Sequence, residues 1–238
     1  MRLVDRHALV TGAGRGLGRA IVEAFVAEGA RVLALSRTGS ELTELEKAFP
    51  GRVVGALLDV TDRAAVDTLP GLVAGALGRL DVLVNNAGVW LERDFLRYSR
   101  ADWDLTLATN LTAVFDVTQA LLPTLLRSGS ARIVNIASID GEVGFQKLVA
   151  QCAAKFGLVG FTKALAKELW SEAITVNAIC PGEIDKAVGY AATPTRVPAP
   201  ERALPWDVAR AAVYLASDEG VRVNGACMDV HGVGFLAS

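Results

Sequence analysis

Apolar positions in this chain fall into short, nearly unbroken runs, separated by stretches in which hydrophobic residues recur every three or four positions. Runs of the first kind read as strands buried on both faces, and the spaced pattern reads as helices laid over them. His7 to Thr11 is the first run, followed by T-G-A-G-R-G-L-G (11 to 18) and a helical pattern through Ile21, Val22, Phe25 and Val26. Arg31 to Leu35, Val53 to Leu58, Val82 to Val84, Arg132 to Ala137, Thr175 to Ile179 and about Ala226 to Val230 bring the strand-like segments to seven. Helical spacing covers about Asp62 to Leu77, Ala101 to Arg127, Leu148 to Trp170 and Pro205 to Ala216. Strands alternating with helices predict an α/β fold of the Rossmann type, doubly wound around a mostly parallel sheet. Ala191 to Pro200, with three prolines, reads as an irregular loop.

Composition narrows this further. At 238 residues, with 52% hydrophobic and 21% charged, residues 1–238 suit one domain with a full core. A net charge of -2 gives no reason to expect nucleic acid or an anionic membrane as partner. The apolar runs are broken by charge or glycine before the roughly 18 residues of a bilayer span, and Met1 to Val10 lacks the layout of a signal peptide. A cytoplasmic protein is the expectation. Cys152, Cys180 and Cys227 are widely spaced and free of C-x-x-C, which suits reduced thiols. With two histidines and no clustered ligand spacing, no catalytic metal is expected.

Candidate chemistry starts at the glycine turn. Gly12, Gly16 and Gly18, with Arg15 and Leu17 between them, would let backbone approach a diphosphate at a helix N-terminus. Their spacing, G-x3-G-x-G, departs from the G-x-G-x-x-G form, and an ordinary glycine-rich turn is the competing reading. After the second strand, Ser36, Arg37 and Thr38 stand where an NAD site usually carries a carboxylate. Two guanidinium groups, Arg15 and Arg37, would instead suit a 2′-phosphate, which favours NADP(H) over NAD(H); two solvated surface arginines are the alternative. Asp59 and Val60, and later Asn86, Ala87 and Gly88, follow strands at the sheet edge where open α/β folds bind ligands.

The order of T-G-A-G-R-G-L-G, D-V (59 to 60), N-N-A-G (85 to 88), N-L (110 to 111), Ser138, A-A-K (153 to 155), P-G (181 to 182) and N-G (224 to 225) resembles the short-chain dehydrogenase/reductase family over nearly the whole chain. The resemblance implies a seven-stranded sheet, a nicotinamide cofactor, a small-molecule carbonyl, alcohol or imine-type substrate, and a homotetramer or homodimer. It assigns catalytic roles to Asn110, Ser138 and Lys155, and cofactor contacts also to Pro181, Gly182 and Ile184. In that family a tyrosine exchanges the proton on the substrate oxygen, and its position here is Gln151. The four-residue step to Lys155 keeps both side chains on one helix face, so a register slip does not hide a tyrosine there. Lys186 and His231-Gly232 are further departures, and the segment of about 183–204 is short for a substrate cover.

A carboxamide donates and accepts hydrogen bonds but has no acid–base equilibrium near neutrality. Losing acid–base help costs about 10²- to 10⁴-fold in rate. Three readings stay open from sequence: an oxidoreductase that draws its proton through Lys155 and a water near Asn110, or from a donor such as Tyr190, or whose iminium-like substrate needs no proton at the reacting centre; a binding or regulatory protein without turnover; and a non-redox isomerase, eliminase or cyclase. Asp140 and Glu142 read as solvated loop carboxylates, and Cys152 as a small packing residue.

Overall fold

The structure, a computed structural model, describes residues 1–185 and 202–232. Seven strands form one sheet in the order β3-β2-β1-β4-β5-β6-β7, every pairing parallel. They are β1 (His7–Thr11), β2 (Arg31–Ser36), β3 (Val53–Leu57), β4 (Val82–Asn85), β5 (Ala131–Ile136), β6 (Ile174–Pro181) and β7 (Cys227–Val230). The strand order reverses between β1 and β4. In such sheets the crevice at that switch point is where ligands bind, outside the carboxyl ends of the strands.

Two apolar layers flank the sheet, and side chains alternating along each strand feed both. Ala8, Val10, Val32 and Ala34 face α1 (Gly16–Ala27) and α8 (Pro205–Ala216), packing on Phe25, Val22 and Val208. Leu9, Leu33, Leu35 and Leu83 face the opposite way, toward Val73 of α4 (Leu69–Ala76) and Val117 and Leu121 of α6 (Ala113–Leu126). Burial on both faces is why these strands read as continuous apolar runs. Helix α1 ends because Gly29 adopts φ +98, with its N–H donating to Val26 O and the Ala30 N–H donating to Phe25 O. This paired closure favours glycine over any residue bearing a Cβ.

Helix boundaries differ from the sequence reading in three places. Helix α2 (Gly39–Ala48) fills the β2–β3 crossover, for which no helix was read. The stretch from Asp62 to Leu77 splits into α3 (Arg63–Val66) and α4, because Pro70 in the first turn of α4 supplies no N–H and disfavours helical geometry in the residue before it. The helix from Ala101 to Arg127 is interrupted: α5 (Arg100–Leu107) and α6 are joined by one wide π turn, Ala108–Thr112. The whole run Arg100–Leu126 is long and apolar enough for a bilayer by length and composition. Here its apolar stripe, including Val117, Leu121 and Leu125, is core instead. Finally, α7 (Val149–Glu168) lies against β6, as its spacing predicts.

Candidate active site

At the switch point the ends of β1 and β4 are stitched together. Thr11 Oγ1 accepts from the N–H groups of Asn86 (2.9 Å) and Ala87 (3.0 Å), while Asn86 Nδ2 donates to Thr11 O (2.9 Å) and Gly12 O (3.1 Å). The glycines answer to this closeness. A Cβ on Gly18 would sit 2.1 Å from Gly12 O, and one on Gly12 would meet Ala87 Cα at 2.9 Å. Gly16 differs: its φ of +58 demands glycine, but the space beside it is open. No side chain caps the N-terminus of α1, where Arg15 is the N-cap. The first turn of α1 and the positive end of its dipole face a cleft of about 560 Å³, a fit for a diphosphate.

The same cleft is lined by Gly12, Arg15, Gly16, Leu17 and Gly18, by Ser36, Arg37 and Thr38, by Asp59 and Val60, by Asn86, Ala87 and Gly88, and by Ile184. Fourteen of the cofactor positions read from sequence are thus brought together. Lys155, Pro181 and Gly182 are not among the lining residues. The Gly182 N–H instead donates to Val230 O, and a Cβ there would lie 2.6 Å from His231 Cβ, so this glycine admits His231 against the end of β6.

An acid does reach the β2 end of the cleft. Glu41, on α2, accepts from Ser36 Oγ (3.0 Å) and lies 3.9 Å from Arg15 Nε. Sequence reasoning looked for a carboxylate directly after the strand and missed one supplied by the next helix. Arg37 Nη1 lies 3.6 Å from Asp59 Oδ2, with both side chains accessible. Burial works upward on the Asp59 carboxyl, but the Thr61 N–H and hydroxyl together with Arg37 outweigh it and hold it below its ordinary value.

Beyond this cleft, at the ends of β5 and β6, the positions to which the resemblance assigns catalytic roles converge. Asn110 sits in the π turn with both of its amide groups committed: Oδ1 accepts from the Val89 N–H (2.9 Å), and Nδ2 donates to Val89 O (2.9 Å) and to Gln151 Oε1 (2.7 Å). The backbone of Val89 therefore fixes which way the Asn110 amide points. That in turn turns the Gln151 oxygen to Asn110 and its NH₂ away, toward Asp140. Gln151, Asn110 and Asp140 are all buried, and Ser138 at the mouth is half-buried.

Lys155, one helical turn beyond Gln151, donates from Nζ to Ile136 O (2.7 Å). Burial lowers its pKa to about 8, against the opposing pull of Asp140. Helix α7 is pinned to the sheet near this point, since Asn135 Nδ2 donates to Thr162 Oγ1 (2.9 Å).

Asp140 overturns its sequence reading. It is 2% exposed, not solvated, because the short 3-10 turn Ile139–Gly141 tucks it beneath α7. The turn fits that closely: a Cβ on Gly141 would lie 2.8 Å from Lys155 O. Burial raises the Asp140 carboxyl above its ordinary value, while the Ser138 hydroxyl, the Gln151 amide and the Lys155 charge pull it back. Its Oδ2 is buried with no hydrogen-bond partner. Glu142 is exposed as expected, though burial of its carboxyl and the nearby Asp229 raise its pKa. Its carboxylate and the Sγ atoms of Cys180 and Cys227 lie within 4.8 Å of one another, a grouping that sequence spacing did not reveal. Burial pushes the Cys180 thiol up to about 12, which keeps it neutral.

Tyr98 donates its hydroxyl to Leu91 O (3.0 Å), and Tyr214 packs on the α1–α8 side of the sheet. Among the described residues, no phenol joins Ser138 and Lys155. Tyr190 and Lys186 lie outside the described residues.

Comparison with known proteins supports the same assignment. The family model described as short chain dehydrogenase matches residues 6–196. A 3-oxoacyl-(acyl-carrier-protein) reductase of Haemophilus influenzae is 36% identical over 239 residues, covering 97% of this chain and 98% of its own. That of Thermotoga maritima is 36% identical over 242 residues, with 98% of each chain covered. A solved structure from Sinorhizobium meliloti, described as a short-chain alcohol dehydrogenase, superposes with a TM-score of 0.89 at 34% identity, over 100% of this chain and 98% of that one. With its switch-point cleft, its glycine turn and these relatives, the chain belongs to the short-chain dehydrogenase family of oxidoreductases.

Proposed function

We propose that this protein transfers hydride between NADP(H) and a small-molecule carbonyl or alcohol, with proton exchange that does not rely on the phenol usual at the Gln151 position. The observation that carries the reading is a single cleft lined both by the glycine turn and by the Arg15 and Arg37 side chains. The glycine turn and the first turn of α1 would hold the diphosphate, and Arg37, with Arg15, would take a 2′-phosphate. Lys155 would grip the nicotinamide ribose hydroxyls, and Asn86, Ala87 and Gly88 let the nucleotide lie close to backbone. When bound, the nicotinamide supplies or accepts the hydride.

The chain's own part is positional. Ser138, half-buried at the mouth of the site, offers a hydroxyl to the substrate oxygen. Gln151, locked by Asn110, cannot donate a proton but holds its amide in one orientation. Orientation of the reacting partners would survive this exchange even where acid–base help of about 10²- to 10⁴-fold is at stake. The curated relatives are, by name, 3-oxoacyl-(acyl-carrier-protein) reductases, so a 3-oxoacyl thioester heads the substrate panel.

The test combines nucleotide titration with NADPH oxidation followed by absorbance, using 3-oxoacyl thioesters, aldehydes, ketones, enones and imines. NADPH is expected to bind more tightly than NADH and to be consumed with at least one substrate class. A protein that never oxidises NADPH above background with any of them lacks this function. A second reading has its own observation: Glu41 could accept from a ribose 2′-hydroxyl, and tighter binding of NADH than NADPH would select it.

A further inference from the structure

The hydride-transfer reading leaves the source of the proton unassigned, and four observations converge on one side chain. Asp140 lies against Ser138, whose hydroxyl meets the substrate oxygen in that reading, and against Gln151 and Lys155. It is 2% exposed, so its carboxyl is shielded from bulk water. Its Oδ2 is buried without a hydrogen bond, which costs an ionised carboxylate dearly, whereas a protonated carboxyl avoids that cost and holds a proton that the adjoining Ser138 hydroxyl can pass on. The amide chain starting at Val89 is directional: it fixes Asn110, then Gln151, and delivers the Gln151 NH₂ to the Asp140 side.

We propose that Asp140 is the residue that exchanges a proton with the substrate oxygen, through the Ser138 hydroxyl, in the place the family gives to a phenol. The proposal rests on the hydride-transfer reading. In the reducing direction, hydride from NADPH forms the new C–H bond, and the carbonyl π pair moves to oxygen. That oxygen takes the Ser138 hydroxyl proton while Ser138 Oγ takes one from the Asp140 carboxyl, giving the alcohol, NADP⁺ and an Asp140 carboxylate. The Gln151 NH₂, the Ser138 hydroxyl and the Lys155 ammonium stabilise the carboxylate as it forms, and a solvent proton restores the acid. In the oxidising direction each step reverses, and the carboxylate accepts the alcohol proton through Ser138.

Geometry also explains why the family's missing group does not leave a void of function. Gln151 is spent on Asn110 and has no ionisable atom, but it presents two N–H bonds where a carboxylate benefits from them. The charged and titratable neighbours that matter are Lys155 from α7 and, beside Lys155, the Cys180 thiol from β6. Glu142 faces Asp229, Lys163 and His231 instead.

The experiment compares wild type with Asp140→Asn and Asp140→Glu in the holoenzyme. Asparagine keeps the shape and loses the proton, so NADPH affinity should be unchanged while kcat for carbonyl reduction falls about 10²- to 10⁴-fold. Reduction by wild type should decline as pH rises through the Asp140 titration, a limb that Asp140→Asn should lack; Asp140→Glu should recover part of the rate. A readout independent of turnover is the infrared stretch of a protonated carboxyl. It should persist in wild type above the ordinary aspartate range, about pH 4, and vanish in Asp140→Asn.

If Asp140→Asn keeps wild-type kcat, or if Tyr190→Phe rather than Asp140→Asn abolishes the pH limb, the proposal is overturned while hydride transfer stands. The same follows if no carboxyl band distinguishes the two proteins. A wild type inactive with every substrate class removes the hydride reading and this one with it.

Discussion

Arg37→Ala separates the two nucleotides most cleanly. In the free protein Arg37 stands 3.6 Å from Asp59, with the arginine side chain 66% exposed and the aspartate 39%. A pair so open to water is worth about 0–1 kcal/mol, and that is what a bound nucleotide must displace. A 2′-phosphate at the same spot would accept charge-assisted hydrogen bonds of about 1.5–3 kcal/mol. The surplus, roughly 0.5–3 kcal/mol, corresponds to about a 2- to 160-fold rise in the NADPH dissociation constant on removing the guanidinium. NADH, which has no such phosphate, should bind the variant about as tightly as wild type. Asp59→Asn works in the opposite sense by freeing Arg37, with a gain for NADPH no larger than the exposed pair is worth. Calorimetric titration of both nucleotides at two salt concentrations measures all of this. Equal weakening of NADPH and NADH would refute the reasoning, since it would place Arg37 in service of the fold or the adenine. Weakening confined to NADH in Glu41→Gln would point the same way.

Three further outcomes follow from particular contacts. Gly18→Ala drives a Cβ to 2.1 Å from Gly12 O, a backbone atom that cannot yield, so a loss of about 1–3 kcal/mol in urea unfolding and loss of nucleotide binding are expected. Gly16→Ala meets only open space and should cost no more than the roughly 1–2 kcal/mol of a left-handed residue; a Gly18→Ala protein as stable as wild type would contradict this geometry. Lys155 has a folded pKa of about 8, below its unfolded value, so the unfolded chain holds the extra proton between about pH 8 and 10.4 and the wild type should gain stability as pH rises through that window. Lys155→Met should lack that slope in a urea series from neutral to alkaline pH, and identical slopes would show that Lys155 is not buried as described. In an Asp140→Asn background, Gln151→Tyr should recover two or more decades of NADPH consumption, and no recovery would mean that a phenol can no longer reach the substrate oxygen.

The sheet was legible because it is buried on both faces. Each strand therefore announces itself as an apolar run, and all seven lie within a residue or two of where the runs place them. Helix ends were less legible, since Pro70 acts on the residue before it and the wide turn at Asn110 leaves no trace in apolar spacing. The nucleotide cleft could be read from glycines and arginines that act where they stand in the chain. Glu41 could not, because it reaches the cleft from a helix after the strand it serves. Asp140 was misread for a related reason: in sequence it sits among loop residues between Ser138 and Gly144, and only the fold of α7 over that turn takes it out of water. Its polarity was visible, its burial was not.

The wide turn at Ala108–Thr112 carries a liability that the rest of the molecule tolerates. A regular helix there would satisfy its backbone more fully and hold together better on its own. It would also swing Asn110 off Val89, and with that the amide of Gln151 would lose the anchor that tells it which end to show its neighbours. Sequence changes that smooth this helix should therefore harden the protein while blinding its catalytic corner, so a search for sturdier variants would select directly against the site.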